Sequence, residues 1–470
     1  MLTGASGGCW QAMASFLQLP VQNRDLIAWK GPLLGAAMSK SRLGLVILTV
    51  LACALLALPA LADSQARIVR LSDVQGSVQI DKNTGMGFES AFLNLPVTQG
   101  TQLRTRDNGR AEVEFEDGST MRLTPNSLVQ FSTLGLSDDG TRVSVINLVD
   151  GMAYVNWLGK KGDKFTLNFA HEKIALDRSA HFRVDTATNV SQVGVFNGDL
   201  EIESPSGNVA LNKKKMATFE ASDDKSTVAN LEPNAYDDWD KQAVAYHDQY
   251  AKNNSSPYGY GYSDLNYYGG YQNVPGYGMM WQPYFAGVGW DPFMDGAWSF
   301  YPGFGYMFVS AYPWGWMPYL YGNWLFVPGF GWMWQPGYWN TWGTVPRFAG
   351  TLPAHFTAPV APKGNASTVV FGKGGPVAHP STPSHVVLRN GSAGMGIARG
   401  SLSNMHQLNH QVARSGSAEV HTAPPFAASS SRSGFGGNSG GHSSASAGAP
   451  SSVSAGHAAS AGGGGHPAHH

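Results

Sequence analysis

The sequence predicts an all-β fold, with a β sandwich or barrel-like domain followed by a small domain of aromatic β-hairpins. Apolar residues alternate with polar ones in short runs such as Ala111–Phe115, and this period of two places the apolar residues on one face of a strand. Turn dipeptides that tolerate positive φ separate the runs, among them Asn108-Gly109, Asp117-Gly118 and Asp150-Gly151. Farther along, Pro-Gly turns and aromatic residues recur at a nearly constant interval. The sequence also predicts one short helix and a disordered tail.

Composition narrows the function classes. The chain has 470 residues, a net charge of −1 and only 13% charged residues, so neither a strongly basic nucleic-acid binder nor an acidic solvating chain fits. We therefore expect no nucleic-acid partner. The two cysteines, Cys9 and Cys53, lie near the start, and this placement excludes a disulfide framework, a zinc finger and a downstream cysteine nucleophile.

The start of the chain is typical of an export signal. Basic residues follow Met38, an apolar run covers 43–61, and Ala60-Leu61-Ala62 matches a signal-peptidase site. We interpret 1–37 as a doubtful leader and 38–62 as a signal peptide, and we expect a protein of the periplasm or cell envelope, or a secreted one. Two alternatives remain open: an uncleaved N-terminal membrane anchor, and a lipoprotein site at Cys53. Cleavage would leave no stable membrane span and no cysteine.

Residues 63–230 form the first predicted domain. Its motifs follow one another as Gly76-x-Val78, Gly100-x-x-Leu103-x-Thr105, Ala111–Phe115, Asp117-Gly118-Ser119, Phe165–Val184 and Val193-x-Val195-x-x-Gly198-x-Leu200. In this order they resemble the FecR domain, over about residues 67–220. The resemblance implies a periplasmic β domain that contacts other proteins, and it leaves a role in sigma-factor signalling open.

Residues 231–253 are predicted to form a docking helix that covers one edge of a neighbouring domain. Its larger apolar residues have helical spacing, and Asn234 could cap the first turn. These residues are Tyr236, Trp239, Ala243, Tyr246 and Tyr250.

Residues 257–344 contain an aromatic repeat and almost no charge. Glycines recur at 269, 296 and 322, Pro-Gly-x-Gly turns begin at 275, 302 and 328, and Trp281, Phe308 and Trp334 follow the turns at one offset. Each unit predicts a strand, a turn and a strand, and three such hairpins could stack into one small array. The pattern resembles the Gly-x-Trp/Pro-Gly-x-Gly-Trp repeat region that follows FecR domains in bacterial envelope proteins, a region of unknown function.

Two hypotheses explain the aromatic residues. They could form the core, since each buries a large apolar area. Alternatively, an exposed surface could stack on the sugar rings of peptidoglycan or another polysaccharide, or on an envelope protein. The candidates for this ligand-binding surface are Trp298, Trp316, Trp324 and Trp334.

Residues 345–470 are rich in Gly, Ser, Ala, Pro and His, and this composition predicts a disordered tail. Eleven of the 14 histidines lie there, but their spacing is irregular and no acidic or cysteine ligands accompany them, so we expect no metal site. The sequence Gly437-Asn-Ser439-Gly-Gly441 matches a nucleophile elbow only by composition, because neither a strand nor a helix is predicted beside it.

No motif predicts an enzyme or a cofactor site. Glu112, Glu114 and Glu116 alternate along one predicted strand, and we interpret them as a solvated face rather than a catalytic pair. The sequence therefore predicts a non-enzymatic exported protein that binds or scaffolds a partner, or takes part in signalling, through the FecR-like domain. The alternative is polysaccharide binding through the aromatic repeats.

Overall fold

The computed structural model describes residues 67–187, 190–220, 225–252, 254, 256–350, 356–364, 366–372 and 384–422. The predictions for the leader at 1–37, the signal peptide at 38–62 and the tail beyond 422 lie outside these residues. No helix in the described ranges is long and apolar enough to cross a membrane.

Residues 69–230 form strands almost throughout, because runs of alternating apolar residues are separated by tight turns. The strands are β1 (Val69–Gln75), β2 (Val78–Asp81), β3 (Glu89–Ser90), β4 (Pro96–Val97), β5 (Gln102–Thr105), β6 (Arg110–Glu114), β7 (Thr120–Leu123), β8 (Leu128–Leu136), β9 (Arg142–Trp157), β10 (Asp163–Phe169), β11 (Glu172–Leu176), β12 (Ala180–Ala187), β13 (Val190–Asn197), β14 (Leu200–Glu203), β15 (Val209–Leu211), β16 (Lys215–Glu220) and β17 (Lys225–Asn230).

Two sheets pack face to face as a sandwich, and neither closes into a barrel. Sheet 1 has the order β3-β2-β5-β8-β9-β10-β11-β14-β15. Sheet 2 has the order β4-β1-β6-β7-β9-β12-β13-β16-β17. One apolar core lies between them, with residues such as Phe131 and Leu167 from sheet 1 and Val113 and Val184 from sheet 2.

Strand β9 belongs to both sheets, and this corrects one turn prediction. Its residues up to Asp150 pair in sheet 1, and those from Gly151 onward pair in sheet 2. Asp150-Gly151 is therefore no hairpin turn, although Gly151 does have a positive φ of 84°. A Cβ there would lie 2.5 Å from the carbonyl oxygen of Asn126, so only glycine fits where the strand changes sheets.

Helix α1 (Asp237–Tyr250) lies against the outer face of sheet 2. Trp239 packs with Met152 and Tyr154 of β9, as the helical spacing of the apolar residues predicts. Asn234 is not the capping residue, since the helix begins after Tyr236 and no side chain caps it. The Asn234 side chain instead accepts a hydrogen bond from the Tyr236 backbone N–H at 3.0 Å.

The aromatic region contains two short helices and three hairpins. The helices are α2 (Tyr262–Tyr268) and α3 (Met317–Leu320). The hairpins are hairpin 1, β18 (Gly269–Val274) with β19 (Gly278–Pro283); hairpin 2, β20 (Gly296–Tyr301) with β21 (Gly305–Ser310); and hairpin 3, β22 (Asn323–Val327) with β23 (Gly331–Gln335). Each Pro-Gly turn closes one of these hairpins, with positive φ at both of its glycines.

The three hairpins do not stack as one array, which corrects that prediction. Hairpins 1 and 3 share a sheet of order β18-β19-β23-β22-β24, where β24 is Phe348–Ala349. They face each other symmetrically: Gln282 Nε2 donates to the Phe330 carbonyl at 2.7 Å, and Gln335 Nε2 donates to the Tyr277 carbonyl at 3.1 Å. A small apolar cluster lies between them, formed by Val274, Met280, Val327 and Met333.

Hairpins 1 and 3 meet through one face of each hairpin, and hairpin 2 docks on the sandwich through the equivalent face. Ala297 and Val309 join the sandwich core, and the Tyr301 hydroxyl donates to the Pro96 carbonyl at 2.6 Å. Its position 309 is Val where hairpins 1 and 3 have Gln, so it lacks the amide that those two hairpins exchange. Strand β25 (Val369–Phe371) pairs with β20 at its free edge.

The repeated glycines Gly269, Gly296 and Gly322 each lie against the aromatic ring at the opposing position of the same repeat. A Cβ on Gly296 would lie 2.4 Å from Phe308 Cζ, and one on Gly269 would lie 2.3 Å from Trp281 Cζ2. Such distances require a shift of the ring or of the backbone. The spacing between glycine and aromatic residue in the repeat therefore has a steric origin.

Replacing Gly296 with Ala is expected to lower the free energy of unfolding by about 1–3 kcal/mol, the usual effect of overpacking. The matched control is Gly289→Ala in the same region, where a Cβ would meet nothing within 4 Å. Chemical denaturation followed by tryptophan fluorescence measures both variants. Equal stability of the two would contradict the steric role of Gly296.

Part of the predicted disordered tail forms ordered structure. Strand β26 (His385–Arg389), helix α4 (Met405–Ser415) and strand β27 (Ser417–His421) form a hairpin with a helix in its connection. We call residues 384–422 the closing segment. Its few apolar residues, Ile397 and Val412 among them, are buried in the same cluster as the aromatic core. The predicted disorder is wrong for this segment because its residues complete a core that the aromatic region supplies.

Candidate functional site

The outer face of sheet 2 carries charged residues that are buried. Since Val113 faces the core, its neighbours Glu112 and Glu114 face outward, each 1% exposed. Arg70 on β1 and Arg122 on β7 lie on the same face and are fully buried. The predicted solvated face of Glu112, Glu114 and Glu116 is therefore wrong. Helices α1 and α2 and the closing segment cover Glu112 and Glu114, and Glu116 is buried in an ion pair with Arg67.

Glu112 is the most highly connected carboxylate on this face. Its Oε2 accepts from Arg122 Nε at 2.8 Å, and its Oε1 accepts from Arg399 Nη1 at 2.6 Å. Ser72 Oγ donates to Oε1 at 2.6 Å, and His247 Nε2 on α1 lies 3.1 Å from the same oxygen. Two strands, a helix and the closing segment thus meet at one side chain.

Asp264 on α2 is the counterpart of Glu112 in the aromatic region. Arg70 Nη1 lies 2.6 Å from Asp264 Oδ2, and 3.2 Å from Glu114 Oε2. Tyr246 on α1 donates its hydroxyl to Asp264 Oδ1 at 2.8 Å. Arg70 also reaches the Pro313 carbonyl at 2.8 Å, so one guanidinium ties the sandwich to the aromatic region at two points.

Arg399 of the closing segment completes the cluster. Besides Glu112, it donates to both oxygens of Asp264, at 3.1 and 3.0 Å, and to the Ser72 carbonyl at 2.6 Å. Its side chain is 10% exposed. We call the cluster of Arg70, Glu112, Glu114, Arg122, Asp264 and Arg399 the joint.

The charges of the joint set the protonation of its members. Burial by itself raises the pKa of Glu112, but His247, Arg399 and Arg122 outweigh it, and the pKa lies well below the usual range. Burial likewise raises the pKa of Asp264, and Arg399 and Arg70 reverse the effect, so that this pKa is lowered. For Glu114 burial prevails, and its pKa is raised.

A second polar cluster continues the joint along helix α1. Asp240 accepts from Arg122 Nη1 at 2.9 Å and lies 2.7 Å from His181 Nε2. Arg183 on β12 donates to both oxygens of Asp237, at 2.7 and 2.9 Å. Helix α1 is therefore held on sheet 2 by ion pairs as well as by Trp239.

The joint holds structural elements in position. Its carboxylates meet guanidinium groups at hydrogen-bonding distance, and its side chains are closed to a substrate by burial. A buried ion network with good geometry fixes the relative position of the elements that contribute to it, and removing one partner leaves another charge uncompensated. Among the described residues, no group of His, Cys, Asp and Glu could hold a metal ion.

The four tryptophans proposed as a ligand-binding surface lie inside the protein. Trp298 is 6% exposed, Trp316 2%, and Trp324 and Trp334 0%. Trp324 packs near Trp314 with ring centroids 6.0 Å apart, and Trp334 Nε1 donates to the Tyr321 carbonyl at 2.8 Å. This is a correction: a region with few aliphatic residues uses its large rings as core, and these four cannot stack on a ligand.

A groove lies where hairpin 2 meets the sandwich. Its volume is about 390 Å³. Its lining combines apolar, amide and cationic groups: Arg67, Lys82, Asn83, Thr98, Gln99, Leu134, Gly135, Leu136, Pro302 and Phe304.

Sequence reasoning missed Arg70, Arg122, Asp264 and Arg399. One signal was present, since Asp264 is an isolated acid in a region without Lys or Arg and therefore needs a cation from elsewhere. Arg399 gave no comparable signal, because its partners lie 135 and 287 positions away.

The structure is an all-β protein in which an aromatic domain packs on a two-sheet sandwich. Two known protein families match these two parts of the chain. Residues 101–201 match the family described as FecR protein, and residues 262–358 match a family of unknown function, DUF6600. The chain thus contains a FecR domain and a DUF6600 domain. Arg399 and the rest of the closing segment lie beyond both matches.

Solved structures offer only a distant likeness. Two crystal structures of a protein assigned as an anti-sigma factor, from Parabacteroides distasonis, match with 16% and 15% identity. The matches cover 32% and 31% of this chain and 72% and 71% of theirs, each with a TM-score of 0.27. No curated protein sequence matches the chain.

Proposed function

We propose that the chain is an exported, non-catalytic scaffold of the bacterial cell envelope that presents its signalling-related FecR domain to a protein partner. The joint is the observation that carries this proposal. Its charges are engaged with one another, so they hold the FecR domain, the DUF6600 domain and the closing segment in a fixed arrangement. A rigid arrangement suits recognition of a partner, because less conformational freedom is lost on binding.

The half of the sandwich away from the joint is the proposed contact surface. Strand β17 is an edge strand that pairs only with β16 among the described strands, and most of its residues are exposed. Val228 on this strand is 52% exposed, and its backbone partner Ala217 lies in the core. An exposed edge with an apolar residue can accept a strand or an apolar side chain from another protein.

Export is tested by fusing alkaline phosphatase, which is active only outside the cytoplasm, after Thr422. Active enzyme is the expected result, and N-terminal sequencing of the product is expected to begin at Asp63. The matched control deletes 38–62. Equal phosphatase activity with and without that segment would contradict the proposed export signal.

Signalling is tested by RNA sequencing of a deletion strain. A defined set of genes is expected to change expression and to recover with the wild-type chain but not with Val228→Glu. The control is Thr227→Glu on the opposite face of β17, which is expected to restore expression. Unchanged transcription in the deletion strain would contradict a role in signalling, and equal recovery by both variants would exclude β17 as the contact.

A further inference from the structure

The groove is formed by two domains. The tip of hairpin 2 supplies Pro302 and Phe304, and the FecR-domain side supplies the loop after β2, the turn between β4 and β5, and the end of β8. Pockets for small ligands typically measure about 300–1,000 Å³, and this groove falls within that range at about 390 Å³.

Phe304 differs from the equivalent residues of the other hairpins. Tyr277 and Phe330 occupy the same turn position, but their hairpins pair with each other and neither residue lines the groove. Hairpin 2 instead docks on the sandwich, so that Phe304, whose ring also packs on Trp342, lines the groove together with polar residues such as Asn83 and Gln99. Aromatic rings next to hydrogen-bonding groups are suited to ligands with one apolar face and a polar rim.

The amide groups of the groove retain unused hydrogen-bonding capacity. Gln99 uses its side-chain oxygen to accept from the Leu134 backbone N–H at 3.3 Å, and its amide N–H groups have no partner in the described residues. The Asn83 side chain makes no hydrogen bond to any described residue. Both amides can therefore bind hydroxyl or carbonyl groups of a ligand.

The cations of the groove are already neutralised. Arg67 forms a two-point pair with Glu116, with both distances 2.7 Å, and Lys82 Nζ lies 2.7 Å from Glu89 Oε1. Burial also lowers the pKa of Lys82, despite the nearby Glu89. Both cations are buried and engaged with carboxylates, so they add little uncompensated positive charge to the groove, which favours a neutral polar ligand over an anion.

We propose that the groove binds a neutral saccharide, with a sugar ring against Phe304 and hydroxyl or acetamido groups on Asn83 and Gln99. This inference goes beyond the proposed function and is independent of export and of partner binding. It also differs in place from the buried tryptophans, since Phe304 lies at the tip of a hairpin and they lie in the core.

Saturation-transfer NMR and isothermal titration calorimetry on residues 63–470 test the proposal. The probes are tri-N-acetylglucosamine and maltotriose, with inorganic phosphate and citrate as anionic probes. Saturable binding of at least one saccharide is expected. Phe304→Ala is expected to weaken it roughly tenfold, about the effect of losing one central contact residue. Phe330→Ala, at the equivalent turn position, is the matched control and is expected to bind normally.

Gln99→Glu keeps an oxygen for the Leu134 N–H and removes the amide donor, so it tests the groove even where Phe304→Ala folds poorly. It is expected to weaken saccharide binding as well. Absence of saccharide binding overturns the proposal, as does binding that neither variant changes. Binding of phosphate or citrate in place of both sugars would overturn the assignment to a neutral ligand.

Discussion

Replacing Arg399 with Met is expected to lower the free energy of unfolding by about 3–5 kcal/mol, the usual effect of removing one partner from a buried ion pair. Met keeps much of the side-chain volume and removes the charge. Glu112 and Asp264 then lose a cation at 2.6 and 3.0 Å in a buried setting. Removing a charge that lowers the pKa values of both carboxylates makes their ionised forms less stable.

Urea denaturation at pH 7 measures this effect, with Arg389→Met as the matched control. Arg389 lies on β26 of the same closing segment, is exposed, and forms no ion pair with a described residue. Its replacement is expected to change stability by no more than about 0.5 kcal/mol. Similar stability of the two variants would show that Arg399 does not hold the joint together.

A chain that ends at Gly372 is expected to lose its cooperative fold. This truncation removes Arg399 and uncovers the core of the DUF6600 domain. Trp314 Nε1 loses the Ala393 carbonyl at 2.6 Å, and the Tyr268 hydroxyl loses the Ile397 carbonyl at 2.6 Å. Because domains are stable by only about 5–15 kcal/mol, these losses together are expected to exceed what the remaining fold tolerates.

The matched control ends at Thr422, after the last residue of the contacts named here. It is expected to melt at the temperature of the full chain, while the shorter chain shows no sharp transition in near-ultraviolet circular dichroism. A chain ending at Gly372 that melts as sharply as the control, at the same temperature, would show that the closing segment is dispensable.

The strands could be predicted from the sequence because their signal is local. Alternation in Ala111–Phe115 gives the face of β6, and Pro-Gly turns mark the hairpins by the backbone angles they require. The turn predicted at Asp150-Gly151 was wrong because the glycine conformation that closes a turn can also let a strand such as β9 pass from one sheet to the other. An Asp-Gly dipeptide therefore indicates a positive φ, but it does not show whether the chain turns or a strand changes sheets there.

The joint could not be predicted because its partners are distant in sequence. Alternation places Glu112 outside the sandwich, but only the tertiary structure shows that helix α1 and Arg399 cover it. The same limit applies to the tryptophans: the sequence left open whether they form a core or an exposed surface, and only the packing shows that they are internal. Low apolar content in the closing segment predicts disorder unless a neighbouring core is known.

Hydrogen exchange of the full chain, measured by mass spectrometry, tests most directly whether the joint unites the FecR domain, the DUF6600 domain and the closing segment. Peptides that contain β6, β21 and Ile397 are expected to exchange through openings of the same free energy, and that free energy should fall equally in all three with Arg399→Met. Early exchange of β21 and Ile397 while β6 stays protected would contradict the account, because the sandwich would then be stable without the joint.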